Sequence, residues 1–437
     1  MTSGLAGLSL PTDWQWWPLK RATLSLNRGS APDYVDGGDV WAVGQAVNQP
    51  DGLAWHRARF HSAGGDPTRL KGHLRPHDIL INSTGRGTLG RVGFFTGTPD
   101  RRAAMADGHV TRVRVRPEVL HPRFAYYYLC SEPFQHYIYS ALVVGATNQI
   151  ELVGERLSAA PIALPPIQEQ RRIASFLDAE LAGIGRTTEA RVNQLKLLRE
   201  REFATIASIL GGTDVPGQRR STGWRWLPTV PSAWTIGPVY AYFDVLLGKM
   251  LNAERAAGRY PRPYLRNANV HWYRISAADL AEMSFLPDER IRYQIRKGDL
   301  LVCEGGAGVA EAAVWDGRLE ECYYQKSLHR VRARRNVPVE WLMYWLRLAK
   351  EVGVFASEGN VATIPHLTGE QLRECRIPIP PDGRVRIAEL AKEIGCLFDL
   401  MSALSSANSL LGERRQSLVT AAVTGQIDVT TARGAHV

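Results

Sequence analysis

Leucine recurs every seven residues near the end of the chain, at Leu390, Leu397, Leu404, Leu411 and Leu418. Ile387, Ile394 and Met401 fill the intervening positions, with Asn408 and Arg415 continuing that row. A leucine row with a second apolar row between its members predicts a coiled-coil helix rather than a merely amphipathic one. A rougher row predicts a second long helix earlier in the chain: Ile173, Leu177, Leu181, Ile184, Val192, Leu195 and Leu198, then Phe203, Ile206 and Ile209. One heptad helix cannot bury its seam alone, so the pattern predicts that the two pack antiparallel on each other. Each follows a proline pair, Pro165-Pro166 or Pro380-Pro381, which disfavours helix before it and suits a helix starting after it.

Ahead of each long helix the period changes. Val40–Val43, Asp78–Ile81, Arg91–Phe95 and His109–Val115 alternate or are β-branched and aromatic, and Gly, Pro and Asp turns separate them. That pattern predicts strands. From Pro122 to about Leu142 the pattern turns helical and aromatic. The second half repeats the order with Asp299–Cys303, Tyr323–Arg334 and a helix over Val339–Leu346. Landmarks repeat with it: Pro11-Thr-Asp-Trp14 with Pro231-Ser-Ala-Trp234, and Pro76-His-Asp78-Ile-Leu80 with Lys297-Gly-Asp299-Leu-Leu301. Leu152-Val-Gly154-Glu155 returns as Leu367-Thr-Gly369-Glu370, and the two proline pairs are offset by 215 residues. Such a period is far too long for a solenoid. It predicts an α+β protein of two globular domains joined by two long helices in an antiparallel coiled coil, an internal pseudo-twofold duplication. The boundaries fall at 1–163, 164–212, 213–379 and 380–426.

The 437 residues carry a formal net charge of +10, which suits a nucleic-acid partner through phosphate neutralisation. The basic residues form no tail, so folding must assemble any binding surface. No uninterrupted run of about 18 apolar residues is present, and the start, Met1-Thr-Ser-Gly-Leu, lacks a secretory pattern. Five well-separated cysteines, Cys130, Cys303, Cys322, Cys375 and Cys396, show neither zinc spacing nor a disulfide framework. The expectation is a cytoplasmic protein that binds no metal.

Several strings look catalytic. Gly85-Arg-Gly87-Thr-Leu-Gly90 spells a dinucleotide fingerprint, but a strand pattern follows it where a phosphate-binding helix is required. A hairpin loop with glycine at positive φ is the better reading. Glu304-Gly-Gly-Ala-Gly308 occupies the equivalent place in the second half, so both loops should share one role, turn chemistry or close approach to a DNA backbone. Leu164-Pro-Pro-Ile167 and Ile379-Pro-Pro-Asp382 lack the polar group and aromatic ring of an amino-methyltransferase loop.

The run Ile162-Ala-Leu-Pro-Pro-Ile-Gln-Glu-Gln-Arg171-Arg-Ile-Ala-Ser-Phe-Leu-Asp178 resembles the central conserved region in specificity subunits of type I restriction-modification systems. Glu413-Arg-Arg-Gln-Ser417-Leu-Val-Thr-Ala-Ala-Val-Thr-Gly425-Gln-Ile-Asp-Val429 is similar to the segment that closes their helical regions. Pro231–Trp234, Tyr264-Leu-Arg-Asn-Ala-Asn269-Val and Lys297–Gly306 carry the likeness further. The second helical region departs from the pattern, because Asp382-Gly-Arg-Val-Arg386 replaces the Ile-x-Glu-Gln run. The resemblance implies a non-catalytic subunit whose two target-recognition domains each read half of a split double-stranded DNA sequence. It implies two modification (methyltransferase) subunits as partners, with S-adenosylmethionine bound there. Two restriction-translocation subunits, where present, would hold ATP and magnesium. No cofactor is expected on this chain.

Base reading calls for Arg or Lys toward guanine and Asn or Gln toward adenine. In the first domain the candidates are Asn82, Ser83, Thr84, Arg86 and Arg91, with Thr147, Asn148 and Gln149. In the second they are Arg266, Asn267, Asn269, Gln325, Lys326, Ser327, His329, Asn360, Thr363 and His366. Two rival readings stay open: a fused recognition and methyltransferase enzyme, and a coiled-coil scaffold that does not bind DNA.

Overall fold

Alternating strands build matching sheets in the two halves of the chain. The computed structural model describes residues 4–5, 7–85, 87–145, 150–252, 256, 258–355 and 366–429. Its contacts divide into two units, Met1–Val192 with Ser405–Val437, and Asn193–Leu404. In the first unit an antiparallel sheet runs in the order Thr23–Arg28, Val110–Val115, Ile79–Asn82, Val92–Phe94. In the second unit the order is Phe243–Leu247, Leu328–Ala333, Leu300–Cys303, Ala312–Val314, again antiparallel. In each, a strand near the domain start pairs antiparallel with one near its end: Gln15–Pro18 with Pro161–Leu164, and Thr235–Pro238 with Arg376–Ile379. The second sheets differ. Ala103–Ala106, Val40–Val43, Arg59–His61 and Tyr34–Val35 make four strands in the first unit. Ala281–Ser284, Pro261–Leu265 and Tyr323–Tyr324 make three in the second.

The repeated Asp landmark has a structural cause. Asp78 and Asp299 are buried at the starts of equivalent strands, and each accepts a backbone N–H three residues upstream, from Arg75 and Arg296, at 2.7 Å. The residue before each has positive φ, 75° at His77 and 89° at Gly298. Each carboxylate also accepts from an arginine on the neighbouring strand, Arg114 Nη2 at 2.6 Å and Arg332 Nη2 at 2.8 Å. A buried carboxylate needs such partners, since its desolvation is otherwise unrecovered. The two pairs hold equivalent hairpins in equivalent positions.

A short helix, α1 (Pro122–Cys130), covers the first sheet, burying Phe124, Tyr128 and Leu129 with Ile79, Ile81 and Val113. Two long helices follow the prolines, α2 (Ile167–Gly211) and, after α3 (Val339–Glu351), α4 (Gly383–Val423). Helix α3 puts Trp341, Leu342 and Leu346 into the second core beside Leu300, Val302 and Val331. Each unit contains the start of one long helix and the end of the other. The first core includes Ile173, Ala174 and Leu177 of α2 with Val419, Ala422 and Val423 of α4. The second includes Ile206 and Leu210 of α2 with Ile387, Leu390, Ile394 and Leu397 of α4.

Both helices stop at a glycine in the left-handed region, Gly212 (φ 57°) and Gly425 (φ 75°). A Cβ on Gly212 would lie 2.8 Å from Pro231, and one on Gly425 2.4 Å from Pro11. The Pro–Trp motif that opens each domain is thus the seat for a helix exit, and only glycine fits there.

The leucine row of α4 is less exposed than its immediate neighbours from Leu390 to Leu411, whereas at Leu418 the neighbouring Val419 is the more buried residue. The α2 seam corrects the sequence reading at one position. Val192 is 53% exposed and lies off the seam, which passes through partly buried Thr188 and Arg191. An 18-residue window of α4 has mean hydropathy 1.3, long and apolar enough by length and composition to cross a membrane. Counting uninterrupted apolar residues overlooks this stretch, because small Ala, Ser and Gly residues separate its leucines.

Candidate nucleic-acid interface

Ile79–Asn82 and Val92–Phe94 pair antiparallel, so the string resembling a dinucleotide fingerprint is the loop of a hairpin. Gly85, Gly87 and Gly90 all have positive φ, between 76° and 98°, which side chains other than glycine rarely adopt. The equivalent hairpin in the second unit, Leu300–Cys303 with Ala312–Val314, carries Gly306 at φ 76°. Both loops are joined to the segment that leads into the domain's last short helix. Thr84 forms a backbone bridge to Glu151, and Gly305 forms one to His366.

Around the first loop, Thr84 Oγ1 accepts from the Gln45 amide and lies 2.9 Å from exposed His109 Nδ1. Glu151 pairs with Arg28. Around the second, the Asn267 side-chain amide donates to Gly305 O at 2.9 Å, and its backbone N–H donates to Ser327 Oγ at 3.2 Å. His366 Nε2 lies 3.4 Å from a Glu304 carboxylate oxygen. Lys326 is exposed on the adjoining turn, and Arg266 is held by Asp279 at 2.8 Å. Three segments far apart in sequence, at 266–267, 326–327 and 366, thus converge on one loop. Together they present amide, hydroxyl, imidazole and ammonium groups, the donors and acceptors that read base edges and phosphates.

Not every candidate faces outward. Asn82 and Ser83 are fully buried; Asn82 Oδ1 accepts from Asn48 at 3.0 Å, and Ser83 Oγ pairs with Thr111 at 2.6 Å. Arg91 donates to Asn48 O and Gln49 Oε1 at 3.1 and 3.0 Å. Asn269, 3% exposed, donates to Ser276 O and Asp279 O. The Gln325 backbone N–H donates to Leu265 O. Asn82, Ser83, Arg91 and Asn269 spend their side chains on the framework of the loops, and half-buried Gln325 joins it through its backbone. Arg86, Thr147, Asn148, Gln149, Asn360 and Thr363 lie outside the described residues. Sequence reasoning missed Arg28, Gln45, His109 and Glu151, whose relation to the loops exists only after folding, and it named Glu304 only as part of its loop.

His329, fully buried, has its Nε2 2.8 Å from Leu367 O, and burial holds its pKa below the ordinary 6.5. The folded state therefore binds fewer protons at this site than the unfolded chain does. This contribution to stability is present above about pH 6.5 and is lost as pH falls below it. The melting temperature of the wild-type chain should fall between pH 7 and 5, and His329→Gln should flatten part of that fall. An identical pH dependence in the variant would remove His329 from the account.

Solved structures are similar to this chain, and the first of them shares its fold. One, from work on the structural basis of complex assembly and conformational transition of the type I R-M system, aligns over 96% of this chain and 100% of its own, with 18% identity and a TM-score of 0.68. The crystal structure of the HsdS subunit from Thermoanaerobacter tengcongensis aligns over 98% and 100%, with 18% identity and a TM-score of 0.48. The type I restriction-modification S subunit from M. genitalium aligns over 95% and 96%, with 14% identity and a TM-score of 0.45. No curated protein matches. The sequence itself is more specific: residues 72–197 match the family model of the type I restriction modification DNA specificity domain. The match spans the first hairpin, α1 and the first part of α2.

Proposed function

We infer that the chain is the DNA-reading specificity subunit of a type I restriction-modification complex, without catalysis of its own. It recognises a bipartite duplex target and directs methyltransferase and restriction subunits to it. The observation that supports this most is the repetition of one strand order in two units, each with a glycine hairpin gathering polar side chains, alongside the specificity-domain match over 72–197. On this reading, 1–163 and 213–379 are target-recognition domains, while 164–212 and 380–426 are helical regions that pair as one antiparallel coiled coil. Two similar reading heads suit two half-sites, and linkage raises the effective concentration of the second binding event. Thr84, Asn267, Ser327, Lys326 and His366 are the contacts we favour. Two modification subunits dock on the helices and bring S-adenosylmethionine. Restriction-translocation subunits bring ATP and magnesium, and the assembly works in the cytoplasm.

Single-molecule sequencing of DNA from cells expressing the chain with its modification subunit tests this. A split methylated motif is expected, and exchanging residues 1–163 for the equivalent domain of a relative should alter only one half of it. A motif whose halves change together would defeat the modular assignment.

A further inference from the structure

One corner repeated in both units is filled in the second and open in the first. In the first unit Asn48–Gln49 pairs with Gly52–Leu53, and in the second Val270–His271 pairs with Arg274–Ile275. Each of these hairpins packs on the second strand of its domain's glycine hairpin, and each has a two-residue turn, Pro50-Asp51 or Trp272-Tyr273. Asp51 therefore stands where Tyr273 stands. The helical positions follow by counting. Tyr127 and Cys130 lie six and nine residues after His121, which caps α1, as Tyr344 and Arg347 do after Pro338, which caps α3. Arg415 lies ten residues before Gly425, as Glu202 does before Gly212, the two left-handed helix exits.

In the second unit the turn fills this corner. Tyr273 Oη donates to Glu202 at 2.7 Å, and its ring centre lies 5.7 Å from that of Tyr344. The Arg347 guanidinium also donates to Glu202 and lies 5.1 Å over the Trp272 ring. In the first unit Trp272, Tyr273 and Arg347 give way to the shorter Pro50, Asp51 and Cys130, and the acceptor Glu202 gives way to Arg415. What remains is a cavity of about 310 Å³, lined by these four residues together with Tyr126 and Tyr127. Burial pushes the Cys130 thiol up to about 12, so that wall is neutral. Among the described residues the Arg415 guanidinium makes no hydrogen bond. Its one ionic partner, Asp51 at 4.0 Å, has a side chain 94% exposed.

We propose that this cavity binds a small aromatic carboxylate, one per chain, in the place that Tyr273 takes in the second unit. A ring is called for because Tyr127 is the counterpart of Tyr344, beside which the Tyr273 ring packs. A carboxylate is called for because the polarity is reversed. Glu202 takes a donor, the Tyr273 hydroxyl, whereas Arg415 takes an acceptor, and a guanidinium offers carboxylate its forked donors. The volume and the mixture of aromatic wall with a few polar groups suit a ligand pocket. The second unit offers no equivalent: its cavity of about 330 Å³, with Tyr273 as one wall, is lined by Glu340 and Asp399 and by no cation. A duplex, or two identical subunits, would engage matching surfaces of both units, whereas this recess exists in one. The site stands whether or not the chain reads DNA.

Isothermal titration of the full chain with phenylacetate, acetate and benzyl alcohol tests the site. Phenylacetate should bind at one site per chain, about tenfold or more tighter than either fragment, since only it presents both ring and charge. Arg415→Gln should weaken phenylacetate by about tenfold, as loss of a charged hydrogen bond predicts, and leave benzyl alcohol unchanged. A second variant, Pro50→Trp with Asp51→Tyr and Arg415→Glu, carries the second unit's turn and its acceptor. It should keep the circular dichroism of the wild type and bind no phenylacetate. No phenylacetate binding by the wild type, equal affinity for acetate, two sites per chain, or unchanged binding in either variant would each overturn the proposal. A chain that binds phenylacetate in this way but binds no duplex would fail the DNA-reading assignment and leave this site standing.

Discussion

Replacing Arg347 by methionine is expected to destabilise the second unit by about 3–5 kcal/mol, the cost of leaving a buried charge without its partner. Glu202 of α2 is 1% exposed and accepts two hydrogen bonds from Arg347 of α3, at 2.9 and 3.0 Å. It also accepts one from Tyr273 Oη at 2.7 Å. Burial, together with the adjacent Glu202 carboxylate, pushes the Tyr273 phenol well above its ordinary pKa, so it remains a donor. The methionine variant removes one charge of the network and leaves the other with a single neutral donor. Urea unfolding followed by tryptophan fluorescence should show the loss directly. The double variant Glu202→Leu with Arg347→Met should recover most of it, because a well-packed apolar pair of similar volume is often neutral. A single variant within about 1 kcal/mol of wild type would mean that water relieves the site.

The same network shows what the sequence could and could not disclose. The heptad rows of α2 and α4, the proline pairs and the duplicated order were legible because each is a local period or a repeated string. Every buried leucine named for α4 lies on the seam. Glu202 was not legible. It occupies a position where α2 needs a partner 145 residues away, and no period reports such a distance. Val192 was misplaced for a related reason: an apolar residue near the expected phase looks like seam even where Thr188 and Arg191 hold the line.

In the hairpins, residue type pointed to the right loops but not to the right side chains. Asn82 and Ser83 have the chemistry of base readers, yet both are buried, where Asn82 Oδ1 accepts from Asn48 and Ser83 Oγ pairs with Thr111. Ser327 and Asn267, equally ordinary in sequence, meet at the second loop because two turns far apart in the chain close on it.

Duplex binding by the full chain should be governed by salt to an extent that no single substitution approaches. With a net charge of +10, the chain can neutralise several phosphates, each releasing condensed counterions. For about six to ten phosphate contacts, affinity should fall by about 10³–10⁵ between roughly 50 and 200 mM salt. Fluorescence anisotropy with a labelled duplex across that range measures the slope. Against it, two variants should separate the two kinds of contact. Lys326→Ala, which removes an exposed ammonium, should reduce the slope by about one and weaken all sequences alike. Asn267→Ala should leave the slope unchanged and erode the preference for the cognate half-site by about 1–3 kcal/mol. The amide of Asn267 donates to Gly305 O, so part of that loss would come through the shape of the loop. Asn267→Asp keeps the size but repels the carbonyl, and it should be worse than alanine if the loop matters more than the base contact. A slope near zero for the wild-type chain would show that phosphates contribute little and that its positive charge serves some other end.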